Sequence, residues 1–499
     1  MAALTSIPHR VVRRRRAWTK TLGTIREDTM SRINTNVPAL QAVGRLRVNQ
    51  GDLVMRLERL STGLRINRGK DDPAGLIASE TLRNEIGAIR QALENSQRAI
   101  NVISTAEGAL NEVSSLLQQL QGLVVEIANK GGLTEEEVSA NQLEIDSILT
   151  SIDRISNTAE FGGTKLLDGS RAYTTASADT GALAHIALYA ARVPEGSSRN
   201  ILVEVTQSAQ VAELSFIGTT TSAVTIEISG VRGTDILTFA SGTAIADIAR
   251  GINDLKDLTG ISAVVSGSNA LILNSTGYGE NEFVRVKPIS GNFIEANNGS
   301  TIQDFGQDAG VLVNGQVASV DGLRVDVRSS GIDARFYLTE AFGTALSSTT
   351  FRITGGGAVF QLGPEVNQNA QVSLGFESIS TGNLGNAVAG YLRTLASGNT
   401  NEVSKNNTYA AQVIISEAIN QVAVYRGRLG SVQRNQIETN MNSQQVALEN
   451  VTASESAIRD ADYATEVAAL TRAQILSQAT QANLQLAIQL PSQVLSLLG

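Results

Sequence analysis

Between Leu82 and Ile127, apolar residues recur at steps of three and four. They are Leu82, Ile86, Ile89, Leu93, Ile100, Ile103, Ala106, Leu110, Val113, Leu117, Leu120, Val124 and Ile127, with Ser96 in the one polar slot. This spacing gathers them on one face of a helix, a seam for partner helices. No proline falls between Ala74 and Lys130, so no backbone donor is lost and no kink is imposed. A helix over that span would be roughly 80 Å long. It needs partners along its length, because propensity alone leaves it marginal. Two successive steps of three, Ile100 to Ile103 to Ala106, shift the register once and tighten the supercoil locally.

The same reading predicts a first helix over 39–64, with Leu40, Val43, Leu46, Leu53, Leu57 and Leu60 apolar, Thr35 or Asn36 as cap, Pro38 in its first turn and Gly63 at its end. Asp72 caps and Pro73 starts the long helix, which stops near 129–132. Thr134 followed by three glutamates opens another, to about Ser156. Residues 161–169 read as a turn and short strand.

From about 170 to 399, Gly, Ser and Thr rise and the period drops to two. Val203–Val205 and Val224–Ile228 alternate strictly. Further strands are predicted at 262–265, 270–274, 311–313, 323–327, 334–338 and 359–361. One helix over 244–255 interrupts them, capped from 241–243. Helical spacing returns from about Thr400, with a stripe of Val413, Ile414, Ala418, Val422, Tyr425, Leu429 and Val432. A helix over 464–490 carries Ile475 and Leu484; Pro491 is expected to end it, leaving an apolar tail of Val494, Leu495, Leu497 and Leu498.

The predicted fold is α+β: a long antiparallel coiled-coil-like helical bundle formed by the N- and C-terminal segments, with a β-rich inserted outer domain. The expected divisions are a disordered extension over 1–30, an N-terminal helical core with a short hairpin over 31–169, a β-rich surface domain over 170–404 and a C-terminal helical core over 405–499. Residues 13–16 are four arginines, but no apolar core of signal-peptide length follows. Met30 is the expected start of the functional chain.

Residues 33–60 and 464–498 each carry an apolar stripe, yet each is too short and too rich in small and polar residues to make a stable isolated pair. Such a face is covered by neighbours, and head-to-tail copies give an open helical filament.

Composition narrows the chemistry. Aromatic residues make up only 4% of the chain, common in helical rods, and the net charge of −8 disfavours general nucleic-acid binding. Without cysteine there is no disulfide, thiol nucleophile or cysteine zinc site. The two histidines, His9 and His185, sit in no His-Glu-x-x-His pattern, and no phosphate-cradling Gly-x-x-x-x-Gly-Lys-Ser/Thr loop is present. Asp71-Asp72, Asp460 and Asp462 read as helix caps. No cofactor, metal or catalytic residue is expected, and no apolar run is long enough to cross a membrane.

Residues at both ends carry a family resemblance. At the N-terminal end they are Ile33-Asn34-Thr35-Asn36, Arg59 through Asn67, Lys70 through Gly75 and Thr105 through Glu112. At the C-terminal end they are Leu429 through Gln433, Ile458 through Ala464, Arg472 through Leu476 and Val494 through Leu498. The chain resembles the bacterial flagellins, and residues 224–273 more weakly resemble that family's inserted Ile-Asn module.

The resemblance implies a subunit that polymerises into the flagellar filament for swimming, secreted unfolded through the flagellar export channel. Its implied partners are further copies of itself, an export chaperone, the filament cap and hook-junction proteins. Filament-core packing would fall to Leu40, Leu46, Leu53, Leu57, Leu60, Leu110, Leu117, Leu120, Leu429, Ile475, Leu484, Leu495 and Leu498. The family's immune-receptor patch reads Gln119, Gln121, Gly122 and Leu123 here; only the leucine matches strongly recognised members, so weak recognition is implied. The alternatives are a hook–filament junction protein, or a filament subunit whose insert is an adhesive module.

Overall fold

The computed structural model describes residues 35–496 apart from 130, 194–196, 218–221, 268–269, 292, 294–301, 330, 387–388 and 406. The expected extension over 1–30 and Leu498 lie outside the described residues. Two compact units are distinguished, residues 1–82 with 453–499, and residues 83–452.

In the first unit, helix α1 (Val37–Thr62) starts where Asn36 accepts the Ala39 N–H at 3.0 Å and ends at Gly63, whose left-handed φ of 72° favours glycine. Helix α2 (Pro73–Ala128) opens with Asp72 accepting the Gly75 N–H at 2.9 Å. Gly75 leaves room for both, since a Cβ there would stand 2.5 Å from Asp72 Oδ2 and 2.7 Å from Ile66 Cδ1, and the cap or Ile66 would have to shift. The last helix, α9, spans Tyr463–Ser496, and Asp462 caps it by accepting the Ala464 and Thr465 N–H groups. Those bonds, the Thr465 N–H first, hold the Asp462 carboxyl below its ordinary range.

Pro491 does not end α9, contrary to expectation. A proline leaves the carbonyl four residues earlier without its helical donor. That carbonyl is on Ala487, and it accepts the Asn36 side-chain amide at 2.7 Å.

In the second unit the long seam is buried against its own chain. Ile103, Ala106, Leu110, Val113, Leu117 and Leu120 have no exposed surface. They share one core with Ile145, Leu149 and Ile152 of α3 (Glu135–Thr158) and with Ile414, Ile415, Ala418 and Leu429 of α7 (Thr408–Val432). Ser96 sits fully buried in the seam and donates to the Ala92 carbonyl at 2.8 Å. Val413, expected in the α7 stripe, is exposed, and Ile415 takes the inward place because 411, 415, 418, 422, 425 and 429 lie on one face. A π-helical turn, Gln433–Glu438, joins α7 to α8 (Thr439–Arg459) without a break.

The β-rich part of this unit is wholly antiparallel and has two cores. A five-stranded sheet, ordered Gln316–Val317, Gly310–Val313, Arg199–Gln207, Ser348–Gly356 and Tyr173–Ala176, shares one core with a four-stranded sheet of Ser319–Asp321, Arg324–Arg328, Ile332–Leu338 and Leu183–Ala191. The other core lies among Ile302–Phe305, Phe283–Ser290, Val224–Gly230 and Gly233–Phe239, a three-stranded sheet of Glu213–Ile217, Ala270–Ser275 and Ile261–Ser266, and α4 (Ile245–Asp254). The expected cap of α4 fails: Ala244 holds the cap position without a side-chain bond, and Thr243 donates back to the Ala240 carbonyl instead. Helices α5 (Lys256–Thr259) and α6 (Glu340–Gly343) are single turns.

Candidate functional site

Helices α1 and α9 pair antiparallel, and polar residues set their register. Asn36 reaches Ala487, Asn49 donates to Thr480 at 3.3 Å, and Arg56 forks Glu466 at 3.0 and 3.1 Å. Arg59 approaches the same carboxylate at 3.7 Å. Glu466 is buried, so its two arginines satisfy a charge that would otherwise be costly there. Burial alone would pull the Arg56 guanidinium down, but its bonds to Glu466 and Asp52 hold it above its ordinary value. A one-turn slip would break all three contacts at once, so the polar pairs act as pins.

Apolar packing between these two helices is thin. No residue of α1 is buried. Among the described side chains of α9, the buried apolar positions are Ala473 and Ala487, with Ser477 also buried. Leu46, Leu53 and Leu60 of α1 and Leu484 of α9 are half-buried. Other apolar residues of both helices are exposed. Leu40 is 65% exposed and Val48 71%, with Val54 and Leu57 following along α1, and Ile475, Leu476, Leu486 and Ile488 along α9. Each helix therefore presents several large apolar side chains to solvent, more than single scattered residues would explain.

The structure splits the packing residues named from sequence. Leu40, Leu57 and Ile475 are open to another molecule, and Leu46, Leu53, Leu60 and Leu484 are partly so. Leu110, Leu117, Leu120 and Leu429 have no exposed surface and pack the subunit itself. Leu495 lies within α9, and its side chain is outside the described ones. The four residues matched from sequence to the receptor patch lie on α2: Gln119 and Gly122 are exposed, Gln121 is half-buried, and Leu123 leans on the core. The pinning role of Arg56 and Glu466 was missed from sequence. A lone acid in the Ala-rich first turns of α9, opposite an arginine in α1, was the available signal.

The arrangement can bind but offers little chemistry. Among the described residues, no group of His, Asp or Glu has the geometry to hold a metal, and no helix is long and apolar enough to cross a membrane.

Comparisons with known proteins agree at both ends. The model of the bacterial flagellin N-terminal helical region matches residues 33–172, that of the C-terminal helical region residues 413–498, and that of the flagellin hook IN motif residues 225–277. The flagellin of Salmonella typhimurium is 30% identical over 513 residues, covering 93% of this chain and 99% of the relative. That of Clostridium tyrobutyricum is 29% identical over 463 residues, covering 92% and 99%. Among solved structures, flagellar hook associated protein-3 from Legionella pneumophila aligns at 14% identity over 76% of this chain and 98% of its own, with a TM-score of 0.30, too low to carry an argument.

Proposed function

The chain belongs to the bacterial flagellins, and from that premise we propose that its copies polymerise through the exposed apolar side chains of α1 and α9 to build the filament used for swimming. One observation carries the reading: α1 buries none of its residues, and the apolar positions α9 buries among the described residues are two alanines, while larger apolar side chains of both helices stand exposed. A face of this kind is incomplete in one molecule and complete between copies. The protein is a structural subunit of the flagellar filament, and no catalytic role is assigned to it.

The remaining expectations follow from family membership. The division into cores over 31–169 and 405–499 and a surface domain over 170–404 describes the filament, with the β-rich part outermost. Export is in the unfolded state, with a chaperone on the C-terminal segment and the cap and hook-junction proteins at the filament's two ends. Neither nucleic acid nor membrane insertion enters. The patch at Gln119, Gln121 and Gly122 lacks charged side chains, so the vertebrate receptor responds weakly; a reporter assay responding to low doses of monomer would contradict this.

Purified monomer, seeded and viewed by electron microscopy, gives long tubes with a regular helical lattice. Short rings would support the junction reading, and no growth under seeding would overturn polymerisation through these side chains.

A further inference from the structure

In the second unit, a cavity of about 370 Å³ lies among strand Leu183–Ala191, strand Ile332–Leu338, helix α7 and the segment after strand Gln371–Leu374. It falls within the size range of small-ligand sites. Four tyrosines line it: Tyr173, Tyr189, Tyr337 and Tyr425. So does Glu377, which is half-buried by area, the part left accessible lying along the cavity.

The charged groups around Glu377 are already engaged. From the second strand, Arg335 forks Asp326 at 2.9 and 3.2 Å. From α7, Arg428 pairs with Asp333 and covers one face of Tyr189, its guanidinium carbon 3.6 Å from the ring centre. Glu417 accepts the Tyr337 hydroxyl at 3.1 Å, and Asp168 accepts from Ser170. From the first strand, burial keeps His185 low and therefore neutral near pH 7. The Tyr425 hydroxyl donates to the Gly375 carbonyl at 3.1 Å. That leaves Glu377 with the Leu188 backbone N–H and the longer-range charge of Arg428, which is itself paired with Asp333, and with no ion pair of its own among the described residues.

A carboxyl with no ion pair of its own, beside aromatic rings, is the chemistry that suits a cation: the carboxylate supplies charge and the rings supply cation–π attraction. An anion would meet the carboxylate's repulsion, and a neutral polyol would leave that charge unmatched. We propose that this cavity is a binding site for a small organic ammonium ion, held by the Glu377 carboxylate among the rings of Tyr189, Tyr337 and Tyr425. The site is independent of the polymerising helices, so either reading can fail alone.

Burial pushes the Glu377 carboxyl up to about 7. Proton and ammonium therefore compete for it, and binding near neutral pH releases protons.

Full-length monomer is titrated with methylammonium chloride and observed by saturation-transfer NMR, with potassium chloride at equal ionic strength as the blank. Saturable binding is expected at about pH 8, weakening roughly tenfold by about pH 6 in the unmodified chain. Glu377→Gln loses at least tenfold in affinity, whereas Tyr189→Phe, which keeps the ring, stays within about threefold. Signal no greater than the potassium blank, affinity independent of pH, or a Glu377→Gln chain that binds as tightly as the parent each overturns the proposal.

Discussion

Leu117 and Leu40 are the same residue on helices of one chain, yet Leu117 has no exposed surface and Leu40 is 65% exposed. Leu117 belongs to a helix whose seam meets α3 and α7, so three elements of one molecule close a core around it. Leu40 belongs to a pair of helices, and two helices side by side cover only the strip where they touch. The difference lies in the number of neighbours rather than in hydrophobicity. The 83–452 unit supplies its own neighbours; the α1–α9 pair holds its register with polar pins and leaves its exposed apolar side chains for other copies.

The hardest test of this contrast removes one side of it. Deleting 464–499 abolishes filament growth in seeded electron microscopy, while near-ultraviolet circular dichroism of the remaining fold stays native-like. Loss of both signals together would mean the middle unit depends on the terminal helices. Point changes sharpen the same contrast. Leu117→Ala costs about 3 kcal/mol in chemical denaturation of the monomer, because it leaves a cavity in a closed core. Leu40→Ala costs less than about 0.5 kcal/mol there, but raises the critical concentration for polymerisation. Equal effects in the monomer assay would erase the distinction.

The closed unit also carries a pH dependence of its own. A carboxyl whose pKa rises on folding holds its proton more tightly in the native state. Glu377 therefore stabilises the fold below its ordinary value of 4.5, and that contribution drains away as pH climbs to about 7. Glu377→Gln unfolds like the parent near pH 4 and is more stable by on the order of 2 kcal/mol above about pH 8, as read from urea midpoints without added amine. A parent chain whose midpoint is flat across that range would refute the burial of this carboxyl. A smaller effect than that of Glu377→Gln is expected at Gly122, on the exposed side of α2. A Cβ there meets nothing within 4 Å, so Gly122→Ala raises stability by about 0.5–1 kcal/mol through backbone entropy alone. A destabilised variant would mean that this face of the helix is packed.

Much of this was readable in advance where one local rule sufficed. The seam of α2 from Ile103 onward, the Asp72 cap and the Gly63 stop appear as expected, because each depends on residues within a few positions of one another. The strands at Leu183–Ala191, Gly233–Phe239 and Ser348–Gly356 were not anticipated. The alanines of the first and the glycines and threonines of the last give no clean alternation, and the burial of these two comes from partners distant in sequence. Pro491 failed as a stop because the replacement donor for the Ala487 carbonyl, Asn36, lies 451 residues away in sequence.

The sequence by itself determined the helices, their apolar faces and the incompleteness of the two ends, because periodicity and capping act over one or two turns. Only the tertiary structure decided which faces are closed. It turned Leu110, Leu117, Leu120 and Leu429 inward, left Leu40 and Ile475 outward, and enclosed Glu377 among tyrosines. Burial depends on which distant segments meet, and no local spacing contains that information.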